Sequence, residues 1–331
     1  MRNNVIRCSA LFMFLLALTL VCVSASAAQA TYVIRFGHPS TTAGGLHQAA
    51  LSFQQEVHER SGGRVEVQIF PGNQLGNERE MAESVQLGTQ EMLITNCSPY
   101  GNFVSAAQIM DMPFIFETHE QVYAALDGAL GDALIDAGRA AGFEIFGIGE
   151  IGFMIIANSV HPIRHVDDIK GLKIRTQETP ALLDTYRLLG ADPTPVPINE
   201  VYTALQTGVV NGTTFGMEPF INNRIYEVQR YISLANVAYS AAAIVASLEW
   251  YNSLPADIQE IIRTASRNWV THTRNIMQEV IREDMPTVEE YSIVTLREEI
   301  DIQSFRDAVA PIFERYPHLS RYVEIARSYV K

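Results

Sequence analysis

The chain has 331 residues, 47% of them hydrophobic, 18% charged, and a formal charge of −13. This acidic excess argues against a nucleic-acid or anionic-membrane partner, because both are polyanions. Of the three cysteines, Cys8 and Cys22 lie close to the N-terminus, so a chain that loses that end keeps only Cys97 and has no internal disulfide.

Met1 to about Ala30 carries Arg2 and Arg7, no acidic residue, an apolar run from Leu11 to Val23, and then small residues at cleavage-site spacing. It reads as a cleaved secretory signal peptide over residues 1–30. The apolar run falls short of the roughly 20 residues that span a bilayer. Val21 stands before Cys22 where a lipoprotein signal has a small residue. Losing both arginines leaves a charge of −15. The remaining length, about 300 residues, suffices for two domains whose stability rests on apolar cores.

Tyr32 to Gly37 predicts a first strand and Gly45 to Glu59 a helix, with Leu46, Ala49, Ala50, Phe53 and Val57 on one face. Val65 to Phe70 alternates as a second strand, Glu78 to Leu87 supplies the next helix, and Met92 to Thr95 a third strand. Strands alternating with helices specify an α/β sheet with mainly parallel strands. Phe143 to Gly147 and Phe153 to Ala157 are expected as two further strands, followed by a short capped turn at Asp167 to Gly171.

In the segment Gly171-Leu172-Lys173-Ile174-Arg175-Thr176, Leu172 and Ile174 alternate with Lys173 and Arg175. The Arg175 guanidinium is therefore expected at the carboxyl end of a short strand, where open α/β sheets bind ligands. A guanidinium keeps its charge and presents a planar fork of donors that matches a carboxylate two bonds at a time.

A helix is expected over Pro180 to Leu189, an extended stretch over Asp192 to Val196, and a helix over Glu200 to Thr207. Glu200 suits a capping role and Gly212 a turn. A long helix is predicted from Ile258 to about Val288, capped near Asp257 and bent or ended by Pro286. Thr295 to Lys331 reads as a helical segment broken near Pro311 and Pro317.

Gln74-Leu75-Gly76-Asn77-Glu78-Arg79-Glu80-Met81, Gln86-Leu87-Gly88-Thr89 and Asp111-Met112-Pro113-Phe114 open a longer series of motifs. Asn158-Ser159, the Gly171 to Arg175 segment, Glu200 to Gly212, Tyr226-Glu227-Val228-Gln229 and Ser253-Leu254-Pro255 continue it in order. In this series the chain resembles the DctP-type extracytoplasmic solute receptors of TRAP transporters over nearly its whole length after residue 30. The resemblance implies an α/β fold of the periplasmic-binding-protein type, with two α/β lobes, crossing strands and a long connecting helix. One lobe is expected from residues 31–151 plus about 240–278, the other from residues 152–239 plus about 279–331.

By this resemblance Arg175 matches the family's carboxylate-binding arginine. The chain departs from the sialic-acid-type branch at Met154, where that branch has a second arginine, and at Phe215, Asn96 and Pro99, where it has polar or charged contacts. These departures predict a ligand with one carboxylate, less hydroxylation than a sialic acid or sugar acid, and an apolar or aromatic body against Phe215 and Met154. His38, Asn96 and Tyr239, on loops at strand ends or at a crossover, complete the candidate contacts, and Cys97 is expected as a small buried filler.

No Gly-x-Ser-x-Gly elbow, His-Glu-x-x-His helix or Gly-rich phosphate loop occurs in the sequence, so an enzyme is not expected. No cofactor is expected; Glu218 is the one carboxylate considered for a metal, and it has no clustered neighbours to support that role. The resemblance implies delivery of the acid to the small and large membrane subunits of a TRAP transporter in the periplasm. A ligand-sensing module for a signalling receptor is the alternative, and a monomer is expected with a dimer left open.

Overall fold

The computed structural model describes residues 32–330, so the signal-peptide segment lies outside the described residues. Strand β1 (Tyr32–Gly37) leads into α1 (Gly45–Ser61) and β2 (Val65–Phe70), which pairs with β1 in parallel. Helix α1 forms where the sequence repeats apolar residues at helical spacing, and Leu46, Ala49, Ala50, Phe53 and Val57 are all buried. Gly62 stops it in the left-handed region (φ 61°), with its N–H returning to the last turn. Helix α2 (Glu78–Gln86) starts with a capping box between Asn77 and Glu80. Strand β3 (Met92–Asn96), helices α3 (His119–Leu126) and α4 (Ala129–Ala140), and the 16-residue β4 (Phe143–Asn158) follow.

Strand β4 is continuous where two strands are expected from the sequence. Its first part pairs with β9 (Tyr239–Ser247), and from Met154 to Asn158 it pairs with β7 (Gly212–Gly216). Register shifts at Ile145/Gly147 and Glu150/Gly152 mark the bulges where it bends between lobes. The glycines that resemble a break in the pattern instead permit this bend: Gly152 has φ 111°. Around it the second lobe contains β5 (Lys173–Thr176), α5 (Pro180–Leu188), β6 (Asp192–Pro195), α6 (Ile198–Gln206) and α7 (Met217–Asn222). The sheet path runs β2-β1-β3-β9-β4-β7-β5-β6, with β8 (Tyr231–Ser233) on β4 and β10 (Ile293–Thr295) on β8.

Alternation along the strands divides each lobe's core between two faces. On β9, Ala241, Ala243 and Val245 join one cluster while Ala242, Ile244 and Ala246 join the opposite one. The second lobe has its own pair of clusters, centred on Ile156 with Ile174 and on Ile155 with Phe220.

Helix α8 (Ala256–Tyr291) runs 36 residues, about 54 Å at 1.5 Å per residue. It continues five residues past Pro286, which sits inside it; its N-cap is Pro255, while Asp257 lies in the first turn and pairs with Arg64 at 2.7 Å. The helix lies directly on the hinge strand. A Cβ at Gly149 would fall 2.3 Å from Thr273 Oγ1 and 2.9 Å from the Trp269 ring, so only glycine permits this approach. Buried Glu150, at the bend, accepts from Gln278 Nε2 of α8 at 2.6 Å.

Two expectations change in the C-terminal and β7 regions. Residues 279–331 are expected with the second lobe; Val288, Ile300, Phe305 and Val309 pack in its clusters, while Ile312, Tyr316, Leu319, Val323 and Ala326 join the cluster containing Met81 and Phe143. Gly212 lies within β7 instead of a turn, where a Cβ would come 2.5 Å from Ile174 Cδ1.

Candidate functional site

Arg175 is the third residue of β5, and the strand places its side chain between the lobes at only 2% exposure. Its Nε donates to the Val196 carbonyl at 2.8 Å, and Nη1 lies 3.5 Å from the Thr214 carbonyl. The guanidinium carbon stacks 4.7 Å from the centroid of the Phe215 ring. Among the described residues no carboxylate oxygen comes within 4.0 Å of it, although most of the other arginines have such a partner. Burial lowers its pKa from 12.5 to about 9, and Glu78 counters part of that fall. At neutral pH it remains a cation, desolvated and unpaired.

Glu78, the first residue of α2, approaches from the first lobe. One carboxylate oxygen accepts from the Asn96 N–H at 2.7 Å and from Thr95 Oγ1 at 3.3 Å. Burial pushes its pKa up to about 7, against those hydrogen bonds and the charge of Arg175. Asn96 in turn donates through Nδ2 to Ser240 Oγ at 2.9 Å and accepts the Ser98 N–H at 3.0 Å, which fixes its amide.

Two hollows meet at this point, both bordered by Arg175, Glu78, Gln177 and Ile198. One extends past Asn77, Arg79 and Pro195; the other reaches Ser40, Phe215, Glu218, Asn222 and Ser240. The lobes are closed over them: Arg79 pairs with Glu178 at 2.7 Å, Asn102 donates to the Glu178 carbonyl at 2.9 Å, and the Gly45 N–H reaches Glu218 Oε1 at 2.7 Å.

Of the residues expected at the site, Arg175, Asn96 and Phe215 border the hollows, and Met154, Tyr239 and His38 do not. Met154 is packed in the second-lobe core with Ile156 and Ala238. Tyr239 turns to the hinge, its ring edge-on to Phe153 at 5.0 Å, and because successive strand residues face opposite ways its neighbour Ser240 takes the cleft side. His38 is fully buried behind Pro39 and Ser40, with Nε2 3.1 Å from His47 Nδ1; burial lowers its pKa to about 3 and keeps it neutral. Met154 is absent from the wall and one Phe215 face is covered by Arg175, but Phe215, Ile151, Ile198, Leu46, Val196 and several prolines still give the hollows a largely apolar lining, interrupted by polar groups.

Glu78, Gln177, Ser240 and Asn222 border the hollows without having been expected there from the sequence. Glu78 sits inside the Gln74 to Met81 motif directly after a helix cap, a signal that was present. Gln177 follows Arg175 by two positions, but its approach depends on the turn after β5. Glu218, considered for a metal from the sequence, holds the Gly45 N–H and Asn222 Nδ2 instead. Among the described residues no group of three or more His, Cys, Asp or Glu side chains is placed to hold a metal ion. Cys97 is buried, and burial raises its thiol pKa away from reactivity.

Comparison with known proteins places this geometry in a family. Residues 36–318 match the bacterial extracellular solute-binding protein family 7, DctP. A solute-binding protein of Verminephrobacter eiseniae is 34% identical over 87% of this chain and 85% of its own. The C4-dicarboxylate-binding periplasmic protein of Rhodobacter capsulatus is 30% identical over 75% of this chain and 74% of its own. A TRAP periplasmic solute-binding protein of a Polaromonas species, solved with D-erythronate, superposes with a TM-score of 0.86 at 30% identity, covering 90% of this chain and 98% of that one. The two-lobed fold is that of the TRAP periplasmic binding proteins, a receptor family and not an enzyme family. The chain therefore belongs to the DctP family, the bacterial extracellular solute-binding proteins of family 7.

Proposed function

We propose that this protein captures a small organic acid in the cleft, with Arg175 holding the carboxylate, and presents the closed form to TRAP membrane subunits in the periplasm. The observation that carries this reading is a guanidinium at 2% exposure with no anionic partner among the described residues. Burying an unpaired charge is costly, and a bound carboxylate supplies the missing partner through two parallel hydrogen bonds.

The remainder of the cleft, apolar walls with a few polar groups between them, supports a ligand with a single carboxylate and a body that is part apolar and part hydroxylated. Glu78, Gln177 and Ser240 offer acceptors and donors suited to hydroxyl groups. A second ligand carboxylate would meet Glu78 or Glu218 and would bind only with one of those carboxyls protonated, a cost that a single carboxylate on Arg175 avoids. This chemistry agrees with D-erythronate in the Polaromonas relative more than with the C4 dicarboxylates of the Rhodobacter relative.

Calorimetric titration with D-erythronate and with succinate tests the reading. Tighter binding of D-erythronate is the expected result. Preference for succinate would overturn the single-carboxylate class, and binding of either acid that survives loss of the Arg175 guanidinium would overturn the anchor.

A further inference from the structure

Helix α1 is 17 residues long, yet its own sequence leaves its N-terminus without a cap. The N-cap is Gly44, no side chain there accepts a hydrogen bond, and the first turn has no acidic residue. The first amides of a helix need an acceptor from elsewhere. A Cβ at position 44 would lie 2.0 Å from Ser40 Oγ, so a side chain there would have to displace the Ser40 hydroxyl.

The acceptor comes from the opposite lobe. Glu218, 173 positions away on α7, accepts the Gly45 N–H at 2.7 Å and is itself 3% exposed. Asn222, one turn later, donates its amide to the same oxygen and orients the carboxylate. On the other side, Gly45 is pressed against α8: a Cβ there would come 3.0 Å from Ile276 Cγ2 and 3.2 Å from the Met277 thioether. The helix end is thus fixed to the first lobe and the carboxylate to the second. Their hydrogen bond forms only when the lobes meet.

We propose that Glu218 is a positioning residue that locks the closed receptor by capping α1 across the cleft, adding a helix-dipole and hydrogen-bond contribution that opening removes. Glu218 also borders the hollow that contains Arg175, so the lock and the ligand site form in the same movement. Its coupling to ligand rests on the organic-acid reading, whereas the cap itself does not.

Hydrogen exchange of the Gly45 amide, measured by NMR on the full mature chain, tests the cap without ligand. Glu218→Ala is expected to speed this exchange at least about fivefold, the size of an ordinary N-cap. Exchange at Phe53 and Val57 in the middle of α1 should stay unchanged, showing that the fold is intact. Glu218→Gln, which keeps an accepting oxygen, should restore most of the protection. With D-erythronate bound, the alanine variant should release it about fivefold faster in stopped-flow experiments. Equal Gly45 exchange in wild type and Glu218→Ala overturns the lock. An unchanged D-erythronate release rate overturns its coupling to ligand. If wild type binds neither D-erythronate nor succinate, the organic-acid reading fails, and the ligand-free exchange still decides the cap.

Discussion

Replacing Arg175 by methionine separates the requirements of the ligand from those of the fold. The side chain is long enough to cover Phe215 and leave little void, but it carries no charge. In the free protein the guanidinium is desolvated without an anionic partner, and the fall of its pKa from 12.5 to about 9 records that cost. At about 1.4 kcal/mol per pH unit the penalty amounts to several kcal/mol. Methionine removes it, together with the Val196 hydrogen bond, worth about 1 kcal/mol, and a stacking contact of similar size. The ligand-free variant is therefore expected to melt at or above the wild-type temperature. Ligand binding moves the other way: removing one partner of a buried charge pair costs about 2–5 kcal/mol, roughly thirtyfold to several thousandfold in Kd. Calorimetric titration with D-erythronate, alongside thermal melting with and without the acid, measures both. A variant that melts well below wild type and binds normally would refute the reasoning on both counts.

Ligand affinity should rise as pH falls from 8 to 6, because Glu78, with its pKa pushed up to about 7, then loses the charge that opposes an incoming anion. Glu78→Gln should flatten this profile in titrations across the range. Asp111 is buried, accepts Ser98 Oγ at 2.5 Å, and has its pKa raised by burial from 3.8 to about 7. Between those values the folded state binds the proton more readily than the unfolded chain, so this group's contribution to stability falls as pH rises from 4 through 7. Asp111→Asn should be more stable than wild type at pH 8 in urea unfolding, with the difference closing near pH 4; a constant difference would contradict the assignment. Gly149→Ala should cost about 1–3 kcal/mol in the same measurement, because Thr273 and the rigid Trp269 ring occupy the space its methyl requires.

Periodicity made the elements legible. The face of α1, the alternation of β2 and the strand carrying Arg175 all follow from side-chain spacing, which local geometry imposes on any chain. The place of Arg175 at a strand end was also readable from the alternation, whereas its carboxylate-binding role came only from the resemblance to the DctP-type receptors. The single strand β4 was not legible: its glycines interrupt the apolar pattern, and only packing against α8 shows that they permit a bend without ending the strand. Of the two outcomes expected at Pro286, a bend or an end, the end is excluded, since the helix continues to Tyr291 with Val288 buried in the second lobe.

The cleft divides in the same way. Sequence alone determined an acidic chain with one cysteine left after residue 30, an α/β alternation and a cation at a strand end. Tertiary structure decided which neighbours reach that cation. Ser240 faces the cleft and Tyr239 the hinge because adjacent strand residues point to opposite faces. Met154 lies in the core, while Glu78 and Glu218 arrive from different lobes. Those two carboxylates are 140 positions apart in the chain, and no local pattern encodes their meeting around the hollow that Arg175 borders. Closure of the lobes brings them there.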